Sequence, residues 1–225
     1  MQENTLLAKR ELQYLAIGVI FLVAANIIDL VIGTPFWGIT RFIYLGSDEN
    51  ISAWYSSILL AVAGLIAYEC WLYASKNNIQ GSLSLLFFTG LLFFMSADEV
   101  ARIHEIIGGY TADFFGISSK PFAQRASWVW IGGPFVIAVF IGFMLLLKKV
   151  FSLVPGSMFY LVIGFSLIIS GGVILESTIN FLNHEELQWL WNIEIIAEES
   201  LEMAGTLFIA YALIAWRDGV IKPHQ

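Results

Sequence analysis

Charge is what this chain has least of. Charged residues are 13% of its 225 positions, about half the roughly 25% of a soluble globular domain. Cysteine occurs once, at Cys70, which excludes an intrachain disulfide and any CxxC redox or zinc site. Basic residues are outnumbered, 11 Lys and Arg against 18 Asp and Glu, giving a formal net charge of −7. No basic patch suits nucleic acid. No dinucleotide or P-loop motif and no Ser–His–Asp arrangement can be read.

What fills the chain is apolar. Hydrophobic residues make up 58% and the mean hydropathy is +0.78. A helix rises ~1.5 Å per residue, so crossing ~30 Å of hydrocarbon takes about 20 mainly apolar residues. Stretches 12–33, 53–75, 82–108, 128–147, 156–180 and 190–216 meet that length. They predict an all-α polytopic bundle of about six transmembrane helices forming a single domain over 1–225. The breaks between them carry turn residues: Gly33-Thr34-Pro35, Lys76-Asn77-Asn78, Ser118-Ser119-Lys120-Pro121, Pro155-Gly156 and Asn183-His184. The first run exceeds the roughly 7–15-residue core of a signal peptide and lacks a convincing cleavage site, so it reads as an uncleaved span.

Tryptophan supports these limits. Trp37, Trp54, Trp71, Trp128, Trp130, Trp189, Trp191 and Trp216 all fall at or near a proposed helix end, where indole rings form interfacial belts. With both termini cytoplasmic, the inside collects Lys9, Arg10, Lys76, Lys148, Lys149, Arg217 and Lys222, and the outside only Arg41, Lys120 and Arg125. That bias sets the expected orientation.

The unusual feature is acid within the apolar runs. A charge at the bilayer centre costs ~2.5–3.5 kcal/mol on insertion scales, yet the third run contains Asp98, Glu99, Arg102, His104 and Glu105. The last contains Glu194, Glu198, Glu199 and Glu202; Asn26 and Asp29 lie in the first, Glu69 in the second, and Glu176 and Asn180 in the fifth. Rise per residue places Asp98 ~15 Å, Glu105 ~5 Å, Glu198 ~12 Å and Glu202 ~18 Å below the outer surface, with Asp29, Glu176 and Glu194 at ~6 Å. All except Glu69 therefore share the outer half. Shifted helix ends would instead make several of them interfacial.

On a continuous helix, Asp98, Arg102 and Glu105 share one face, as do Glu194, Glu198 and Glu202. Arg102 either neutralises its own helix or opposes the last span's acids, whose remainder needs protons, water or a cation. His104 falls about 120° from the Asp98 face, and Glu99 and Glu199 about 100° off theirs. Gly171-Gly172 before Glu176 allows either close helix approach or a local break. Gly132-Gly133-Pro134 reads as a helix start, and Glu69 as a structural residue near the inner end. Spans three and six share a local Ala-acid-Glu pattern, but its position early in one and late in the other argues for one shared site over an inverted repeat.

Three functions compete. A metal-dependent membrane enzyme on a lipid or lipid-linked substrate would use Asp98, Glu99, Arg102, His104, Glu105, Glu198, Glu199 and Glu202, with Asp98, Glu105, Glu176, Glu198 and Glu202 as candidate metal ligands. Facing carboxylates build such sites in bundles, usually with Glu-x-x-His pairs that are missing here. Oxygen-rich ligands favour a divalent Mg, Mn or Ca ion over Zn. A binding or assembly subunit would use the polar cluster as glue, although membrane hydrogen bonds average only ~0.6 kcal/mol. Proton- or cation-coupled transport would use the acids as carriers, but the inner half offers only Glu69.

The stretch Ser96-Ala97-Asp98-Glu99-x4-His104-Glu105, with Glu198-Glu199-x2-Glu202-x2-Gly205, resembles uncharacterised bacterial multipass membrane proteins. The resemblance implies a bacterial cytoplasmic membrane and carries no activity.

Overall fold

The computed structural model describes residues 9–34, 37–47, 50–120, 123, 126–181 and 188–221. These are helical, with no strand among them. Six helices are long and apolar enough to cross a membrane, and the chain is a multi-pass membrane bundle. The spans are α1 (Lys9–Val31), α3 (Ile51–Lys76), α4 (Ser82–Ala101), α6 (Val129–Phe151), the fifth span that opens with α7 (Ser157–Ile169), and α9 (Gln188–Ile221), with the shorter α2 (Trp37–Ile43) and α5 (Ile103–Phe114) between them. Between α7 and α9 the fifth span continues through a π-turn (Ser170–Leu175), the single turn α8 (Glu176–Thr178) and a 3-10 turn (Ile179–Phe181). The expected turn residues Pro35, Pro121, Asn183 and His184 lie outside the described residues, as do Arg125 and Lys222.

Local chemistry sets the boundaries. The Asn50 side chain accepts from the backbone N–H of Ser52 at 2.8 Å and of Ala53 at 3.2 Å, satisfying donors that open α3. Gly81 at φ +90° and Gly156 at φ +84° supply the left-handed residue that precedes α4 and α7, a conformation glycine takes without steric cost. Side chains such as Ile20, Phe21, Phe135 and Leu145 remain exposed; on helices of this length and hydropathy that surface faces lipid.

Helix α9 is the hub. It packs on α1, α3, α7 and the π-turn, while α3 also carries α4. The α7–α9 crossing is the closest described in detail: a Cβ at Gly164 would lie 2.7 Å from the Gly205 carbonyl oxygen, and one at Gly205 would lie 2.7 Å from that of Gly164. Small residues permit such backbone contact where lipid supplies no hydrophobic drive. Backbone atoms of Gly164 and Ile168 stand within 3.0 Å of that position, so for Gly205→Val moving the Ile168 side chain alone does not make room. It should destabilise the bundle by about 1–3 kcal/mol or more, measured as loss of detergent-resistant folding on heating.

One end of the bundle is locked by polar contacts. Arg217, 1% exposed, pairs with Glu69 at 2.8 Å. Trp216 Nε1 donates to the Val150 carbonyl at 2.8 Å, and Tyr73 Oη donates to that of Val220 at 3.3 Å. Lys9 Nζ stands 5.3 Å from the Tyr211 ring centre, which brings the start of α1 to this terminal end. Glu69 is thus structural, through its ion pair with Arg217. Two tryptophans also depart from the belt expected of them: Trp216 is fully buried and Trp128 nearly so. Arg217 is likewise a buried charge, not a loop cation. Midway along the bundle, Phe165 meets Phe140 at 4.6 Å and Phe88 at 5.7 Å, and Phe88 meets Phe143 at 5.9 Å. This aromatic layer belongs to the main core.

Candidate acid–base site

The site is at the opposite end and begins with a broken helix. The expected continuous helix over 82–108 stops at Ala101, and Arg102 takes the left-handed conformation, φ +53° and ψ +38°. A residue with a Cβ pays roughly 1–3 kcal/mol there unless its surroundings impose it. Asp98 supplies the constraint. Its carbonyl accepts the Arg102 N–H at 2.7 Å, and its Oδ1 accepts the His104 N–H at 2.8 Å. That side chain therefore does for α5 what an N-cap residue normally does. Its Oδ2 lies 2.6 Å from His104 Nδ1.

The break overturns the facing read from sequence. His104 is not turned away from Asp98 but is its direct partner, because the chain changes direction between them. Arg102 leaves the Asp98 face; it is half-exposed and pairs with Glu105. Upstream, Ser57 and Ser96 clamp α3 to α4, each hydroxyl donating to the other's carbonyl at 2.7 and 2.8 Å.

Trp128 links this dyad to the fifth span. The His104 and Trp128 rings meet edge-on with centres 4.4 Å apart, and Trp128 Nε1 donates to Glu176 Oε1 at 2.6 Å. Gly132 makes room for the indole: a Cβ there would come within 2.8 Å of the ring. The expected helix start at Gly132-Gly133-Pro134 thus lies inside α6 and shapes a wall of the site. Nearby, Asn180 Oδ1 accepts the Ala126 N–H at 3.1 Å.

Glu176 follows directly on the π-turn, a widened turn that often marks functional positions. Of the expectations for Gly171-Gly172, close approach is met, while the helix widens into the π-turn there without breaking. A Cβ at Gly171 would lie 2.7 Å from the Glu198 carbonyl oxygen, and one at Gly172 would strike the Glu202 carboxyl. The glycines bring the fifth span onto α9 and leave the space that the Glu202 side chain occupies.

Helix α9 is unbroken, so its ladder keeps the expected face. Glu198 is in electrostatic contact with Glu176, Glu202, Glu194 and Glu199. Glu202 is in contact with Glu99, Glu199, Glu176 and Asp98, and Glu176 with His104, Glu105 and Glu194. The candidate residues of spans three, five and six therefore form one electrostatic unit, with Arg102 at its edge. They do so across a gap, not as packed antiparallel neighbours: α4 packs on α3 and α6, whereas α9 packs on α1, α3 and α7. Among the described residues, no three His, Cys, Asp or Glu side chains are grouped to hold a metal ion.

A family model described as a domain of unknown function, DUF8692, matches residues 14–216. The chain belongs to the DUF8692 family. No curated protein and no solved structure matches it.

In this DUF8692 chain the chemistry most clearly set up is proton transfer. Burial disfavours the His104 imidazolium, but the Asp98 hydrogen bond and charge, with Glu176 and Glu105, outweigh it and hold the pKa above the ordinary imidazole value. A carboxylate on Nδ1 fixes the ring's tautomer and leaves Nε2 as the nitrogen able to exchange a proton. Trp128 was the residue most misjudged by sequence, since an indole near a helix end looks like belt whether or not it touches a carboxylate.

Proposed function

We propose that the protein is a membrane-embedded enzyme acting on a lipid or lipid-linked substrate, with His104 as general acid–base and Asp98 as its orienting partner. The observation that carries this reading is the Asp98–His104 contact of 2.6 Å at a strained helix break. Strained backbone is kept where the surroundings enforce it, and such places cluster at active sites. Glu176, Glu198 and Glu202 place three buried carboxyl groups in electrostatic contact with the dyad's surroundings. Their oxygens suit a positively charged substrate group or a divalent Mg, Mn or Ca ion, which would offset charge that cannot be left bare in a low-dielectric interior. The aromatic layer around Phe165 closes the cluster from the terminal end, which favours chemistry at one surface over a path through the bundle. The excess of Lys and Arg at the terminal end supports a bacterial cytoplasmic membrane with both termini inside and the dyad facing outward.

The experiment is reconstitution of the full chain in vesicles of bacterial lipid extract, followed by mass spectrometry of the lipids over time. At least one lipid species should be converted by the wild type and about 10²–10⁴-fold more slowly by His104→Ala. An unchanged lipid profile with the wild type, or equal conversion by the variant, would overturn the proposal.

A further inference from the structure

Beside the dyad, the facing sides of α1 and α9 hold further buried polar atoms. On α1, Asn26 is 0% and Asp29 7% exposed, and on α9 Glu194 is 6% exposed. Among the described residues, both amide atoms of Asn26 and Oδ2 of Asp29 make no hydrogen bond, and Glu194 reaches only its own-helix neighbour Glu198. Buried polar groups in that state are costly, and each requires an explanation.

These side chains are on facing surfaces at one level. The buried positions of α1, Leu12, Val19, Leu22, Asn26 and Asp29, recur at helical spacing and define one face. Val19 on that face clusters with Ile195 and Met203 of α9. The helices run in opposite directions, with Lys9 beside Tyr211 near the far end. From the Lys9–Tyr211 level, Asn26 is about 25.5 Å and Asp29 about 30 Å along α1, while Glu194 is about 25.5 Å along α9. Glu194 thus falls level with Asn26. Tyr44, which packs on the same cluster, is within electrostatic reach of Glu194.

We propose that Asn26, Asp29 and Glu194 form a calcium-type cation site that ties α1 to α9. All three present hard oxygen donors, the ligands calcium takes in flexible arrangements of 6–8 oxygens. Two carboxylates balance one divalent charge, which a buried site requires and a monovalent ion would not supply. Magnesium demands stricter octahedral geometry and gives up its water reluctantly. This site adjoins the α9 acid ladder through Glu194 but uses no atom of the Asp98–His104 dyad, and it does not rest on the enzyme reading.

Calcium binding is measured by titration calorimetry on the purified full chain after chelator treatment, alongside thermal unfolding with and without calcium. One calcium should bind and raise Tm. Asp29→Asn and, independently, Glu194→Gln should each weaken it by about tenfold or more, while Glu11→Gln, in the first turn of α1 at its other end, leaves it within about twofold. Wild-type protein that binds no calcium overturns the site, as does magnesium binding equally well. Binding lost in Glu202→Gln but kept in Asp29→Asn would place the ion in the other cluster and equally overturn it.

Discussion

An Asp98→Asn chain is expected to fold, keep its helix break and lose about 10²–10⁴-fold in lipid conversion. Asparagine retains an oxygen that accepts the His104 N–H, so the start of α5 stays capped. Its amide N–H₂ then faces Nδ1 where a carboxylate oxygen stood. The imidazole must present a lone pair there, and its proton moves to Nε2, the nitrogen that should act as base. Asp98→Ala removes the cap as well and adds a stability loss of about 1 kcal/mol. The comparison separates positioning from folding: circular dichroism and Tm should group Asp98→Asn with the wild type, while turnover groups it with His104→Ala. A pH series adds an independent readout. Because the folded His104 pKa is raised, the pair's contribution to stability is complete below the ordinary imidazole value. It is lost as pH rises through the raised one. Asp98→Asn should flatten that dependence, and full turnover in this variant would remove His104 from the reaction.

The second large effect is at the terminal end. Arg217 is 1% exposed and its guanidinium is paired with Glu69 at 2.8 Å and Asp218 at 3.2 Å. Removing one partner of a buried pair leaves a charge without adequate compensation and typically costs about 3–5 kcal/mol. With Asp218 still beside it, Glu69→Ala should fall near the lower limit, about 3 kcal/mol. Adding Arg217→Met to that variant should recover much of the loss, since an apolar pair of similar volume no longer needs compensation. Denaturant unfolding in micelles measures both. Lipid conversion per folded molecule should be unchanged, because Glu69 is at the end of α3 away from the dyad. Glu69→Ala as stable as the wild type would mean that the pair contributes nothing.

The architecture was legible because lipid imposes a simple rule: every span must be long, apolar and helical. Helix α9 shows how far that rule extends, since an unbroken helix lets spacing alone place Glu194, Glu198 and Glu202 on one face. The same reasoning failed from Ala101 onward. Nothing in Val100-Ala101-Arg102-Ile103 announces a break, having neither proline nor glycine; it is made by the Asp98 side chain, whose bond to the His104 N–H is tertiary information in a local disguise. Composition could not distinguish Trp128 and Trp216 from belt residues, because their indoles find Glu176 and the Val150 carbonyl only after distant segments meet. Gly171 and Gly172 signalled a special place, but spacing alone could not reveal that both close packing and an irregular turn were present.

Contact between Gly164 and Gly205 along bare backbone makes α7 and α9 a single lever, and Glu176, Glu198 and Glu202 ride on it. The dyad rides on another, the α3–α4 pair stitched by Ser57 and Ser96. Because α9 also packs on α3 and Arg217–Glu69 joins them at the terminal end, the two pairs are held together there while each keeps its own internal geometry.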